Sequence, residues 1–171
     1  MQHIFCRLNY NFTDLHDSLP RDVNVPRLHA LTIGIDKYRY RPLKGCVADA
    51  DAVDDYLQSK LCVPASQIIK LRDNAATREA IIRSFKALST NNDIQFGDPV
   101  LIYYAGHGAD APTPPKWRSS ETRTQMLIPF DCEMESKGGI HGIPDRTLGG
   151  LLKQLADKKG NNIVSSPQSF R

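Results

Sequence analysis

The chain has 171 residues, of which 40% are hydrophobic and 24% charged, with a formal net charge of +3. That length sets one domain with a real core. So small a charge, with no basic stripe interleaved with aromatics, argues against a nucleic-acid surface. No apolar run is long enough to span a membrane, and the N-terminus shows no signal-peptide pattern; a cytoplasmic protein with reduced thiols is the expectation. The four cysteines, Cys6, Cys46, Cys62 and Cys132, are widely spaced and form no C-x-x-C or His pairing at ligand spacing, so no metal site is expected. The sequon Asn11-Phe12-Thr13 is silent in that compartment.

Residues 1–28 carry little pattern. Asp14, Asp17, Pro20, Asp22, Asn24 and Pro26 interrupt the apolar residues, leaving an irregular lead-in with a hydrophobic stub near Ile4 and Phe5. The organised part opens at His29-Ala30-Leu31-Thr32-Ile33-Gly34-Ile35, a short, partly β-branched strand that ends in Asp36. A polar loop runs from Lys37 to Gly45. Then Cys46, Ala50, Val53, Leu57 and Leu61 recur at three- and four-residue steps, which predicts one helical face. Asp49, Asp51, Asp54 and Asp55 mostly point elsewhere, as on a solvated helix whose first-turn acids suit the helix dipole.

Ile68-Ile69-Lys70-Leu71 reads as a second strand. Thr77 is a plausible N-cap for a helix holding Ile81, Phe85 and Leu88. After Asn91-Asn92-Asp93 comes a turn signal, Gly97-Asp98-Pro99, and then the apolar run Val100-Leu101-Ile102-Tyr103-Tyr104-Ala105. Such a run reads as a buried strand of a parallel sheet. It ends in Gly106-His107-Gly108, which puts a titratable His at the sheet's carboxyl edge, where open α/β sheets carry their sites. Strand, helix, strand, helix, strand is a right-handed parallel α/β unit.

Beyond His107 the character changes. Ala111 to Thr124, with Pro112, Pro114 and Pro115, reads as a long loop bordering the site. Met126-Leu127-Ile128-Pro129 is a further short strand, and Asp131 to Ile143 another loop. Asp145-Arg146-Thr147 opens a helix with Leu148, Leu151, Leu152 and Leu155 on one face, stopped by Gly160. Asn161-Asn162-Ile163-Val164 begins one more strand, and Ser165 to Arg171 breaks the pattern. The organised domain is therefore placed at 29–164, with 165–171 as a tail.

These blocks, in this order, resemble a caspase-fold cysteine peptidase of the C14 family, most similar to metacaspases of the fungal type. The matching pieces are Leu31-Thr32-Ile33-Gly34-Ile35-Asp36 and Leu43-Lys44-Gly45-Cys46-Val47-Ala48-Asp49-Ala50. They continue with Tyr103-Tyr104-Ala105-Gly106-His107-Gly108, Leu127-Ile128-Pro129-Phe130-Asp131 and Ile143-Pro144-Asp145-Arg146-Thr147-Leu148. The resemblance implies a three-layer α/β/α sandwich around a mostly parallel sheet, incomplete at the C-terminus. It also implies cysteine-type endopeptidase chemistry on protein or peptide substrates. That chemistry needs a thiolate, a base, and donors for the tetrahedral oxyanion.

By the resemblance, His107 is the catalytic base and the Gly108 N–H an oxyanion donor. Asp49 is the acid of the S1 pocket, selecting Arg or Lys at P1 through a buried carboxylate, with Cys46 a secondary cysteine near it. The family's nucleophile follows the next strand, typically within Asp-Cys-Cys-His-Ser-Gly. Here that strand passes into Val164-Ser165-Ser166-Pro167, and no cysteine occurs after Cys132. The expectation is a chain that stops before its nucleophile, as a truncated product or a divergent short member, inactive as written. Asp131-Cys132 copies the Asp-Cys pair, but it precedes the last helix and its acidic neighbours disfavour a thiolate. Where many metacaspases carry a calcium-binding acidic cluster, this chain has Ser119-Ser120-Glu121-Thr122-Arg123-Thr124, a poor hard-cation site, so no cofactor is expected. The competing reading is a non-catalytic caspase-fold module that binds or regulates, with an exposed sheet edge open to partner pairing.

Overall fold

A computed structural model describes residues 26–117, 122–133, 139 and 141–168, the last three of these by their backbone. Most of the expected lead-in, including Ile4 and Phe5, lies outside the described residues, as do Ser119, Ser120 and Glu121 of the segment considered for calcium. The main sheet has four parallel strands in the order β2-β1-β3-β7: β1 (His29–Gly34), β2 (Ile68–Arg72), β3 (Val100–Ala105) and β7 (Ile163–Gln168). A second, antiparallel sheet comprises β4 (Gly108–Pro112), β5 (Arg123–Leu127) and β6 (Ile143–Pro144). The helices are α1 (Cys46–Ser59), α2 (Arg78–Thr90) and α3 (Asp145–Lys159).

Side-chain alternation on β1 and β3 builds the three layers. Leu31, Ile33 and Ile35 with Ile102 and Tyr104 face one way, onto Ile81, Phe85 and Leu88 of α2 and Leu151 and Leu155 of α3. Ala30 faces the other way towards Leu57, and Tyr103 and Ala105 towards Ala50, all under α1. Full burial of each large aliphatic side chain contributes roughly 1.5–3 kcal/mol, and this double-faced core is what fixes the β1–β3 register. Gly34 lets α1 sit close: a Cβ there would lie 2.6 Å from the Cys46 carbonyl and 2.9 Å from the Ala50 Cβ. The helix starts agree with the sequence, Thr77 accepting from the Ala80 N–H at 3.1 Å as the α2 N-cap.

Three expectations are corrected. The 111–124 stretch is not one long loop: its two ends belong to the β4–β5 hairpin, with Ala111 opposite Thr124. The strand expected at 126–129 is β5, set earlier at Arg123–Leu127 and antiparallel to β4. Residues 165–168, expected as tail, continue β7, and Gln168 pairs opposite Ala105. A parallel neighbour needs only backbone donors and acceptors, so Ser165 and Ser166 keep the ladder without an apolar pattern. Asp54 departs too: it is 1% exposed rather than solvated. Thr32 Oγ1 donates to it at 2.7 Å, and Arg72 and Lys70 pair with it at 2.5 and 3.2 Å, which makes that burial tolerable.

Candidate active site at the carboxyl edge

The loop after β1 is the site's first wall, and two aspartates shape it. Asp36, at the end of β1, accepts from the N–H groups of Gly45, Cys46 and Val47 at 3.3, 2.9 and 3.2 Å. It caps α1 from a distance, because Gly45, at φ 112°, offers no side chain for the task. Asp73 Oδ1 accepts from the Asp36 and Lys37 N–H groups at 2.8 and 2.9 Å. Burial pushes the Asp73 carboxyl up, but these donors and the Lys37 ammonium outweigh it and hold it below the usual range. The loop between these anchors carries Tyr38 to Arg41 onto the end of β3, Arg41 at φ 54°.

His107 sits where β3 passes into β4, half-buried, its ring tilted 47° to Tyr38 with centroids 4.6 Å apart. Its Nε2 lies 2.6 Å from the Arg41 carbonyl oxygen. A carbonyl only accepts, so Nε2 carries the hydrogen and the neutral ring keeps its lone pair at Nδ1. The backbone is tied as firmly. The His107 N–H donates to Tyr38 Oη at 2.9 Å, and its carbonyl accepts from Tyr104 Oη at 2.8 Å and the Ile128 N–H at 3.0 Å. In a trans peptide the next N–H points away from that carbonyl, so the Gly108 N–H faces away from Tyr104 and β5.

The two phenols lie 3.1 Å apart over the Ile128 carbonyl, at 3.0 Å from Tyr38 and 2.9 Å from Tyr104. Burial pushes the Tyr38 phenol up to about 12, and raises Tyr104 further. Both stay protonated as donors across the neutral range. Gly106 makes room for them: a Cβ there would lie 2.5 Å from both phenol oxygens. Tyr38 and Arg41 escape a reading of the sequence, since they meet His107 only across the fold. The available signal was Tyr104 itself, a phenol in a buried strand, whose hydroxyl must find a partner.

A cleft of about 580 Å³ opens beside His107 and Gly108. Tyr38 to Arg41, Ile128, Phe130, Cys132 and Glu133 also line it. Cys132, set aside on its neighbours, thus shares the cleft with His107. Cys46 and Asp49 are not in its lining. They stand by Tyr103 under α1, where burial, then Asp49 and Cys46, raise the Tyr103 phenol. Burial first, then the Asp36 carboxylate, pushes the Cys46 thiol up, against a thiolate. Asp49 is exposed, not the buried carboxylate expected, because no described element covers that turn of α1. Among the described residues no group of three or more His, Cys, Asp or Glu is placed to hold a metal ion. Nor is any helix among them long and apolar enough to cross a membrane.

No curated protein matches this chain. Among solved structures, the crystal structure of protein GSU0716 from Geobacter sulfurreducens is similar, at 21% identity and a TM-score of 0.59. The match covers 82% of this chain and 48% of that one, so the chain spans about half the length of this structural relative. At that identity the likeness speaks for the fold. A family model described as the caspase domain of C14 peptidases matches residues 27–153, a span that includes β1, α1, β2, α2, β3 and the His107 edge. The chain belongs to the caspase-domain family.

Proposed function

We propose that this chain carries the base half of a cysteine-type endopeptidase site, of the metacaspase kind and fungal type. The observation that supports it most is the Nε2 contact of His107 with the Arg41 carbonyl at 2.6 Å, which leaves Nδ1 as the acceptor. In this reading Nδ1 takes the thiol proton as the thiolate attacks the scissile carbonyl carbon. The Arg41 carbonyl then faces an imidazolium, which it stabilises. The Gly108 N–H, turned away from Tyr104, receives the oxyanion, and Nδ1 returns its proton to the leaving amine. Asp49 draws an Arg or Lys side chain at P1, as an exposed rather than a buried partner.

The nucleophile is not assigned within these 171 residues. Cys46 is held as a thiol, and Cys132 lies between Asp131 and Glu133. On this reading peptide turnover needs a thiol beside His107, a role assigned to neither of these cysteines. The second reading, a non-catalytic caspase-fold module, is favoured by the raised Cys46 thiol alone. Two measurements separate these. Nitrogen chemical shifts of the His107 ring are expected to report hydrogen on Nε2; hydrogen on Nδ1 sinks the base assignment. A basic-P1 peptide assay on this chain is expected to give no thiol-dependent turnover. Turnover lost in Cys132→Ser or Cys46→Ser overturns the exclusion of that cysteine, and turnover that survives His107→Ala removes His107 from the chemistry.

A further inference from the structure

The cleft beside His107 holds charges and aromatic faces that bond cleavage leaves unused. Among the described residues its charged side chains are Arg39, Arg41 and Glu133, an excess of one positive charge before His107 is counted. Arg39 and Glu133 approach only to 3.9 Å, at 74% and 52% exposure, a loose pair that solvent screens. The Arg39 guanidinium carbon lies 5.6 Å from the centre of the Tyr40 ring, so the charge sits beside an aromatic face. Ile128 and Phe130 give the cleft apolar surface and belong to the core on the α2–α3 side. Asp49 and Cys46 lie on the other face of the sheet, beside Tyr103. His107 lines the cleft and the candidate P1 acid does not.

We infer that this cleft takes the polypeptide segment following the scissile bond, and that Arg39 and Arg41 select acidic side chains there. The inference rests on the peptidase reading above. If the P1 side chain goes to Asp49, the leaving amine lies at His107, which must protonate it. The residues attached to that amine then continue away from Asp49, over Tyr38 to Arg41. Their backbone runs along the aromatic and apolar walls, and carboxylates on them meet two guanidinium groups with one competing acid. Exposed guanidinium–carboxylate pairs are worth little each, so the selection is modest and salt-sensitive.

The test uses the 171-residue chain and three blocked hexapeptides identical up to an arginine. After it, one carries Asp and Glu, one Asn and Gln, and one lysines. Shifts of the His107 ring signals are followed by NMR during titration. The acidic peptide is expected to bind roughly two- to fivefold tighter than its amide counterpart, and the lysine peptide weakest. That preference should shrink between about 0.05 and about 0.3 M salt, and vanish in the Arg39→Gln/Arg41→Gln double variant. Peptides that shift His107 equally whatever their charge overturn the acid selection and leave the peptidase reading standing. An acidic preference that survives the double variant also overturns it. Absence of any His107 shift with all three peptides overturns the peptidase reading itself.

Discussion

His29 opens the sheet at its amino end, at the far end of β1 from His107, and is buried to 6% exposure. Burial lowers its pKa from 6.5; Lys159 acts the same way, and Asp98 and Asp93 oppose them. Asp98 is itself engaged by Arg27 at 2.6 Å. The sign follows directly. Below pH 6.5 the unfolded chain binds a proton that the folded chain refuses, so stability falls as pH drops towards the lowered folded value. Denaturant midpoints measured from about pH 7 to about pH 5 should decline, and in His29→Gln the decline should be shallower. Equal slopes would remove His29 as a source of acid sensitivity. The two histidines also differ in how far the sequence revealed them. His107 was legible because glycines flank it at the end of an apolar run. What holds it was not: Arg41 and Tyr38 lie 66 and 69 residues away in the chain, and no local pattern reports such contacts. His29 reads simply as the first residue of a strand.

At the scale of elements, α1 is fastened to the edge of the sheet by charge as well as by packing. Asp54 receives Thr32 of β1 and both Lys70 and Arg72 of β2, while Arg72 also reaches Asp51 at 2.9 Å and donates to the Thr32 carbonyl at 2.8 Å. Removing one partner of such a buried pair typically costs ~3–5 kcal/mol, because the other is left uncompensated. Arg72→Met should fall at the low end of that range, since Lys70 remains beside Asp54. The Asp54→Leu/Arg72→Met double variant should recover part of the loss, as an apolar replacement of both charges avoids the desolvation penalty. Chemical denaturation of both single variants and the double variant checks this; a double variant as unstable as the summed singles would count against it. Helical periodicity placed α1 correctly but put Asp54 in solvent, because periodicity counts apolar positions and cannot see a basic pair on β2. The β4–β5 hairpin was hidden for a related reason. Gly108 to Pro112 and Arg123 to Thr124 hold small and polar residues with no alternation, and their pairing is carried by backbone. The strands β1 and β3 and the helix α2, buried along continuous faces, were plain from their apolar patterns.

Among the described residues the main sheet has two edge strands, β2 and β7, and they differ in how they are covered. β2 is fastened to α1 by the Asp54 network, and α2 and α3 cover one face. β7 pairs only with β3 among the described residues, and a groove opens beside it on each face. On the α1 side, Val164 is 60% exposed beside a groove with Val53, Leu57, Leu61 and Leu101. On the α3 side, Ile163 borders a shallower groove with Leu152 and Ala156. An unpaired parallel strand flanked by apolar surface is a template for another strand. Ser165 and Ser166 soften that edge and Pro167 takes one N–H from it, while its other backbone donors and acceptors remain. The chain by itself is therefore expected to self-associate as its concentration rises, with β7 at the contact. Sedimentation over a concentration series measures this, and Val164→Lys supplies the control. A lysine on an edge strand keeps the strand's own ladder while charging the approach of a second copy. Association weakened in Val164→Lys, with unfolding midpoints unchanged, would place the contact at β7. Association of equal strength in both proteins would move it elsewhere, and a wild-type chain that stays monomeric throughout would show that β7 is guarded already.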